Sequence, residues 1–345
     1  MARLEETVTD MAATYKDIRR LTGLSLSTIS KYFNGGNVTE TNRKAIDRAA
    51  AKLDFRVNDY ARGLKSRRSK TIGVLIPELN SVFHTSIISD VEDILRTHGY
   101  GTIVCDSRLD GRIETDSLNF LLGKMVDGII TIPFDKSGEH LRAADERGVP
   151  VVLIDRLETD YKTDAVILDN ARAAELAALE FVANGHRRIA ILSGPGGIYT
   201  MKARTGGFLR ALEKSGIPED PAYVAVQEMT IAGGYEGAKK LLRLPQPPTA
   251  LFCANYELTV GAVLAVNEAH VAVPGGLSMI GFDDLTLSQI VTPRLTIVAQ
   301  PMREIAEDAA ALMLDRLGET PVHGVRIIEL SPRMIRGDSV GKLLP

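Results

Sequence analysis

Residues 14–34 read TYKDIRRLTGLSLSTISKYFN, and the local order of this chain is decided there. Thr14-Tyr15-Lys16-Asp17 has the hydroxyl-x-x-acid form of a capping box, and Ile18 and Leu21 follow it, so a short helix starts near Tyr15 and ends at Gly23. Ser25 caps a second helix from Leu26 to Asn34. Within it Ile29 and Phe33 lie four residues apart, on one buried face with Leu21 and Leu24 nearby. A third helix begins at Glu40 or Thr41 behind the cap Thr39, with Ile46, Ala49, Ala50 and Leu53 on its inner stripe. Three helices with a tight turn before the second form a helix-turn-helix unit, expected over residues 13–57. Residues 1–12 are expected to be a disordered extension, with Met11 a possible second start.

With Ile29 and Phe33 turned inward, Leu26, Ser27, Ser30 and Lys31 face outward at the start and middle of the second helix, where a major groove would receive them. Ser27 can exchange hydrogen bonds with base edges, Leu26 can rest on a thymine methyl, and Lys31 can reach a guanine or a phosphate. Thr14, Tyr15, Ser25, Thr28, Ser30 and Asn34 are the candidates for contacts to the DNA backbone. Taken singly, each hydroxyl could equally serve as a cap, and Leu26 could simply pack on the first helix. The charge distribution favours the polyanion. Residues 1–70 hold 15 Lys and Arg against 8 Asp and Glu, a balance of +7, whereas the remainder holds 26 against 36, or −10.

Residues 58–65, NDYARGLK, could form about two helical turns before the basic string Ser66-Arg67-Arg68-Ser69-Lys70. So short a helix is marginal in water, and Gly63 weakens it by up to about 1 kcal/mol relative to alanine. Residues 58–70 are therefore expected to be a hinge helix and linker that order on DNA or on a second copy, or else a plain flexible linker.

From Thr71 onward apolar strand-like runs alternate with helical patterns: 71–76, 101–105, 128–132, 151–154, 165–168, 189–192, 250–253 and 278–281. This is the rhythm of parallel α/β sheets, which bind ligands beyond the carboxyl ends of their strands. With two lobes those ends face each other across a cleft. The residues just past the strands are Asn80 to Phe83, Thr131 and Phe134, Asp155 and Arg156, Asn255, and Asp283 with Asp284. Carboxylates, an amide, arginines and aromatic rings suit a polyhydroxylated ligand, because vicinal hydroxyls take paired hydrogen bonds and ring C–H faces pack on aromatics. Ordinary loop capping is the rival role for each.

Two sets of motifs make a resemblance specific. Residues 14–34, with Gly23, Ser25, Thr28, Ser30 and Asn34 in register, resemble the headpiece of the LacI/GalR family of transcriptional regulators. Residues 126–130 (VDGII), 153–156 (LIDR), 185–190 (GHRRIA), 203–208 (ARTGGF), 253–255 (CAN), 280–284 (IGFDD) and 295–301 (LTIVAQP) resemble its effector domain and the periplasmic sugar-binding proteins. The resemblance implies base reading by Leu26 and Ser27 with Lys31 as a third contact. It also implies a minor-groove wedge at Leu64, and an effector cleft lined by Phe83, Thr131, Asp155, Arg156, Arg204, Asn255, Asp283 and Gln300. Val57 stands where many members carry proline, and Tyr256 where the family has aspartate.

The expected fold class is α plus α/β. A three-helix headpiece and hinge helix precede a two-lobed, parallel α/β, periplasmic-binding-protein-like effector domain over residues 71–345. The N-lobe spans 71–168 and 300–324 and the C-lobe 169–299 and 325–345, with crossovers near Leu168-Asp169-Asn170, Ala299-Gln300 and Gly324. The expected partners are a pseudopalindromic double-stranded operator, a sugar-like effector and a second copy of the chain. The nine residues after Arg336 carry no heptads, so a dimer suffices.

Catalysis, cofactors and metals are not expected. The six histidines (84, 98, 140, 186, 270, 323) are scattered, and no His-Glu-x-x-His, Gly-x-Ser-x-Gly or Walker loop occurs. Gly194-Pro195-Gly196-Gly197 fails the dinucleotide pattern and reads as a strand-to-loop turn, and His186 reads as a helix C-terminal group with a partner. Cys105 and Cys253 sit in apolar runs as buried thiols, implying a reducing compartment. With no apolar run of about 18 residues and no signal core, the expected location is the cytoplasm. An exported solute-binding protein and a nucleotide-using α/β enzyme are the rival classes. The first lacks a reason to carry a basic helix-turn-helix, and the second lacks a phosphate loop or an acid/base pair.

Overall fold

The structure is a computed structural model that describes residues 13–55, 68–134, 137–158, 160–283, 285–320, 322 and 324–343. The expected extension 1–12, nearly all of the hinge 58–70 with Leu64, and Asp284 lie outside the described residues. The chain divides into two compact units, Met1–Ser69 and Lys70–Pro345.

The first unit holds α1 (Tyr15–Thr22), α2 (Leu26–Phe33) and α3 (Glu40–Lys52). Its centre is small: Ile18, Ile29 and Ile46 are fully buried, Ala49 nearly so, and Tyr15, Leu24, Tyr32, Phe33, Ala50, Leu53 and Phe55 pack around them. An isoleucine from each helix thus meets at one point, which is what sets the three helix directions. Leu21 departs from expectation. It is 46% exposed, because Ile18, one turn earlier, takes the inward position. Tyr15 also turns inward, its ring stacking on Phe33 at 5.4 Å between centroids. Gly23 ends α1 at φ 69°, a left-handed conformation that costs glycine little, and its N–H donates to the Arg19 carbonyl at 2.9 Å.

The second unit carries two six-stranded sheets. Its strands are β1 (Thr71–Ile76), β2 (Gly101–Asp106), β3 (Gly128–Thr131), β4 (Val151–Ile154), β5 (Asp164–Leu168), β6 (Ile189–Ser193), β7 (Val224–Val226), β8 (Ala250–Cys253), β9 (Ser278–Phe282), β10 (Thr296–Ala299), β11 (Ile327–Leu330) and β12 (Arg333–Ile335). The N-lobe order is β11-β5-β4-β3-β1-β2 and the C-lobe order β12-β10-β9-β8-β6-β7. Every described pairing is parallel except β10 with β12. Strands β3, β4, β5, β6, β8 and β9 are buried along their whole length. Both of their faces are covered, so they read as continuous apolar runs instead of alternating patterns.

Between the strands run α4 (Val82–Thr97), α5 (Gly111–Gly123), the short α6 (Arg142–Asp145), α7 (Asn170–Ala183), α8 (Tyr199–Lys214), α9 (Ile231–Leu242), α10 (Tyr256–Glu268), α11 (Leu285–Ile290) and α12 (Met302–Leu317). The chain changes lobe after β5 and again after β10, since α12 packs on α4 and on β3 to β5 of the N-lobe. The third change is not near Gly324. β11 pairs with β5 from Ile327↔Ala165 to Leu330↔Leu168, so residues 325–330 belong to the N-lobe and the crossing falls at Ser331-Pro332, just before β12 joins β10. Asp164, fully buried in β5, fixes this arrangement. Burial alone would raise its pKa, but hydrogen bonds from Arg316 of α12 (2.9 and 2.6 Å) and from Arg326 ahead of β11 (3.1 Å) hold the carboxyl below its ordinary range. Cys253 is buried as expected, whereas Cys105 is only half-buried because β2 is an edge strand; burial raises the pKa of both thiols.

Helices α9 and α10 approach through glycine. A Cβ on Gly261 would overlap the Ile231 carbonyl oxygen and stand 2.5 Å from the Tyr235 nitrogen, both backbone atoms that cannot swing away. Gly261→Ala is therefore expected to destabilise the fold by about 1–3 kcal/mol. An unchanged urea midpoint would show that the two helices are not this close.

Candidate functional sites: an exposed helix and an interlobe cleft

Among the described residues the first site is the outer face of α2. Ser27 and Lys31 are exposed, as are Ser25 and Asn34; Leu26, Thr28 and Ser30 are half-buried. Ser25 Oγ accepts from the Thr28 amide at 3.1 Å and shares hydrogen bonds with the hydroxyls of Ser27 (2.7 Å) and Thr28 (2.8 Å). Asn34 Nδ2 donates to Ser30 Oγ at 3.2 Å. The helix start is thus a ring of preset hydroxyls with a cation one turn further on. Thr14 is exposed at the start of α1, where its N–H and hydroxyl both donate to Asp17 (2.9 and 2.7 Å) and hold that carboxyl below its usual pKa.

The second site lies between the lobes. A cleft of about 560 Å³, part of it open to solvent, is lined by Phe83, Asp155, Arg156, Arg204, Asn255, Asp283 and Gln300, seven of the eight residues expected there. The eighth, Thr131, ends β3 between Leu75 and Leu153 and is buried in the sheet instead of lining the cleft. Phe134 does not line it either; its N–H donates to the buried Glu114 carboxylate at 2.7 Å.

Two aspartates define the cleft's floor. Asp155 follows β4 at φ 70° and Asp283 follows β9 at φ 73°, left-handed values in which a non-glycine residue is uncommon. In both the N–H donates to the adjacent strand, to Val166 at 3.0 Å and to Val298 at 2.9 Å. The backbone is pinned to the sheet while the side chain turns off the strand end. Both carboxylates are buried.

Arg204 reaches the same floor from α8 and is 3% exposed. Its Nε donates to Asn170 Oδ1 at 2.7 Å, its Nη1 donates to the Ala254 carbonyl at 2.6 Å, and its guanidinium lies 3.7 Å over the Phe282 ring. Burial lowers its pKa, while Asp283 and Asp155 oppose that shift. Gln300 Nε2 donates to Asp283 Oδ1 at 2.8 Å. Arg156 is held by Asp155 and by the Pro133 carbonyl, at 3.2 Å each. Asn255 caps α10 by accepting from the Leu258 amide at 3.0 Å and donates to Glu257 at 2.7 Å, so its cap and its cleft position coexist.

Several lining residues escaped the sequence reading: Glu78, His84, Thr200, Met201, Met229 and Glu257. Glu78 follows β1 with only Pro77 between, and a rule that took the first residues past each strand would have found it. Thr200 and Met201 precede Arg204 on α8, so a helical-face argument from Arg204 would have reached them. Tyr256 lines the cleft where the family has aspartate. His84 has its pKa lowered by burial, and its Nδ1 lies 3.1 Å from the Glu78 carbonyl oxygen. The other expected minor features are in place: His186 follows α7 with its ring nitrogens on Thr249 (3.0 Å) and the Gly341 carbonyl (3.1 Å), and residues 194–197 form the turn after β6.

Burial pushes Asp283 up to about 7, more than the opposing Arg204 charge lowers it. The folded protein therefore holds this proton where the unfolded chain, near pH 4, has lost it. The stability it contributes is complete below pH 4 and is lost as pH rises toward 7. Asp283→Asn, which cannot titrate, is expected to gain stability relative to the parent chain as pH is raised from 4 to 8. Parallel thermal melts of both chains would expose a misplaced carboxyl if their difference stayed constant.

Comparison with known proteins accords with this geometry. Residues 178–340 match a periplasmic binding protein-like domain. The chain is 33% identical to catabolite control protein A of Priestia megaterium, over 94% of this chain and 98% of that one. It is 31% identical to the HTH-type transcriptional repressor CytR of Escherichia coli, over 96% and 97%. A solved LacI family transcriptional regulator from Enterococcus faecium with bound ribose superposes at a TM-score of 0.72, 29% identical, covering 79% of this chain and all of that one.

Proposed function

The chain belongs to the LacI/GalR family of transcriptional regulators, a DNA-binding repressor under small-molecule control and not an enzyme; from that premise we propose which residues read the operator, which hold the effector, and in what assembly. Leu26, Ser27 and Lys31 read bases from α2, while Thr14, Tyr15, Ser25, Thr28, Ser30 and Asn34 grip the sugar-phosphate backbone. Leu64 is the minor-groove wedge. For Tyr15 the packed ring leaves the hydroxyl edge as the group that reaches a phosphate.

The effector is a small, sugar-like molecule in the interlobe cleft, held by Phe83, Asp155, Arg156, Arg204, Asn255, Asp283 and Gln300. The single observation that carries this reading is the convergence of buried carboxyl groups, a buried guanidinium and two amides on one cleft between the lobes. The bound ribose of the Enterococcus faecium regulator supports the sugar class.

The working assembly is a two-fold homodimer on a pseudopalindromic operator, with recognition helices in successive major grooves about 34–36 Å apart. Edge strand β2 exposes Val104, and neighbouring α5 exposes Ile113 and Phe120, which gives the N-lobe an apolar margin suited to a second copy. Two free thiols fit a reducing cytoplasm.

Lobe closure on the ligand links the two sites, and the linkage is reciprocal. A thermal-shift screen against sugars, polyols, sugar acids, sugar phosphates and purines tests the function, since a ligand at 100 times its Kd adds about 2.7 kcal/mol. A stabilising compound is expected to change operator affinity in the same preparation; a hit that left operator binding untouched would break the proposed link. For the DNA site, Lys31→Ala is expected to weaken operator binding by about 1–3 kcal/mol if Lys31 reads a base. If Lys31 only meets a phosphate, the loss is uniform across sequences and the salt slope falls by about 1. Leu64→Ala is expected to weaken operator binding while the effector's thermal shift persists, and anisotropy titrations that matched the parent chain would eliminate the wedge.

A further inference from the structure

The charges of the cleft are unequal, and the inequality identifies its occupant more narrowly. Four carboxyl groups line it, on Glu78, Asp155, Glu257 and Asp283, the last holding its proton up to about pH 7, against the two guanidinium groups of Arg156 and Arg204. Both cations are already engaged: Arg156 by Asp155 and the Pro133 carbonyl, Arg204 by Asn170, the Ala254 carbonyl and the Phe282 ring. An incoming anion would meet no uncommitted cation among the described lining residues. Asp155 has Arg156, and Asp283 has Gln300 and the nearby Arg204 charge. Glu78 and Glu257 have no ion pair with any described residue, and Glu257 accepts from Asn255 and from its own backbone N–H.

These two glutamates come from opposite lobes, Glu78 just past β1 and Glu257 in the first turn of α10. Both line the one cleft, where burial raises the pKa of Glu257 and the charge of Glu78 raises it further, against its own backbone N–H and the Arg204 charge. The remaining lining groups are also short of donors. Gln300 Oε1 is buried in the cleft wall with no hydrogen-bond partner, although Gln300 as a whole is only 8% exposed. A buried acceptor left in that state costs about 1–3 kcal/mol until a donor arrives. The carboxylates do not converge as a metal site, for no three acidic, histidine or cysteine side chains among the described residues could hold one ion. The demand is for donors spread over a molecular frame, with a positive charge between the lobes.

We propose that the effector carries a protonated amine on a polyhydroxylated frame, as an amino sugar does, with the ammonium held between Glu78 and Glu257 and a hydroxyl donating to Gln300. This rests on the cleft reading above and adds the ligand's charge to it. The ammonium replaces repulsion between the lobes with attraction to both, so closure and ligand charge become one event.

The test is isothermal titration of the full chain with matched probes: glucosamine, galactosamine and mannosamine, each beside its N-acetyl form and its parent hexose. N-acetylation keeps the hydroxyls and removes the charge. At least one hexosamine is expected to bind about tenfold or more tightly than both of its neutral counterparts, a difference of about 1.4 kcal/mol. Glu78→Gln and Glu257→Gln, isosteric changes at partly buried positions, are each expected to erase most of that discrimination. A neutral hexose binding as tightly as its hexosamine, or discrimination that survives in both variants, overturns the amine assignment and leaves the sugar cleft standing. No binding by any member of the three series overturns the sugar cleft together with it.

Discussion

Arg204 is buried to 3% of its surface, and an arginine cannot shed its proton to escape the cost of leaving water. That cost, several kcal/mol for an uncompensated ion, obliges the surroundings to supply acceptors, and they do so from separate parts of the chain. Asn170 arrives at the start of α7, the Ala254 carbonyl just after β8, the Phe282 ring at the end of β9, and the charge of Asp283 one residue later. Asn170 lies just past the crossing out of N-lobe strand β5, and the others sit at the carboxyl ends of C-lobe strands β8 and β9. The guanidinium therefore ties three connections, one of them the lobe crossing, into one rigid floor, and the N-lobe's Asp155 completes the electrostatic balance from across the cleft.

The left-handed aspartates show how the sheets aim that floor. A strand ending in an ordinary extended residue would send its next side chain along the sheet surface. At Asp155 and Asp283 the N–H stays paired with the neighbouring strand while φ turns positive, which directs the carboxyl beyond the strand end. Backbone strain of order 1 kcal/mol is tolerated because the sheet over-determines the position. The same device in both lobes gives a ligand an acidic contact on either side.

Much of this was readable from the chain alone because the signals are local. Capping residues mark helix starts, and apolar runs of four to six residues mark strands buried on both faces, so the three headpiece helices and eight of the twelve strands have sequence signatures at the observed places. Of the four missed strands, β10 has the signature, a buried apolar run that was not assigned, whereas β7 is three residues long and partly exposed, and β11 and β12 are short, partly exposed strands at sheet edges. The third crossing was misplaced for the same reason. Gly324 looks like a break, while the pairing of β11 with β5 depends on residues some 160 positions away. In the cleft, residues directly after strands were legible, whereas Glu257 was hidden because an acid in a helix's first turn ordinarily signals nothing beyond helix capping. Leu21 was assigned inward by spacing alone, and only the packing of the three isoleucines shows that Ile18 occupies that place.

The three lobe crossings also bear on how such a regulator diversifies. Neither lobe is a continuous stretch of sequence, because β11 and α12 return to the first lobe long after β5 has left it, and β12 goes back to the second. A recombination event that exchanged one lobe between two relatives would have to join the chain correctly at three places at once. New ligand preference is therefore acquired residue by residue, at strand ends such as those bearing Glu78 and Asp283. The helices that read DNA form one uninterrupted segment and can be traded whole, so operator choice and ligand choice evolve by different genetic routes within one polypeptide.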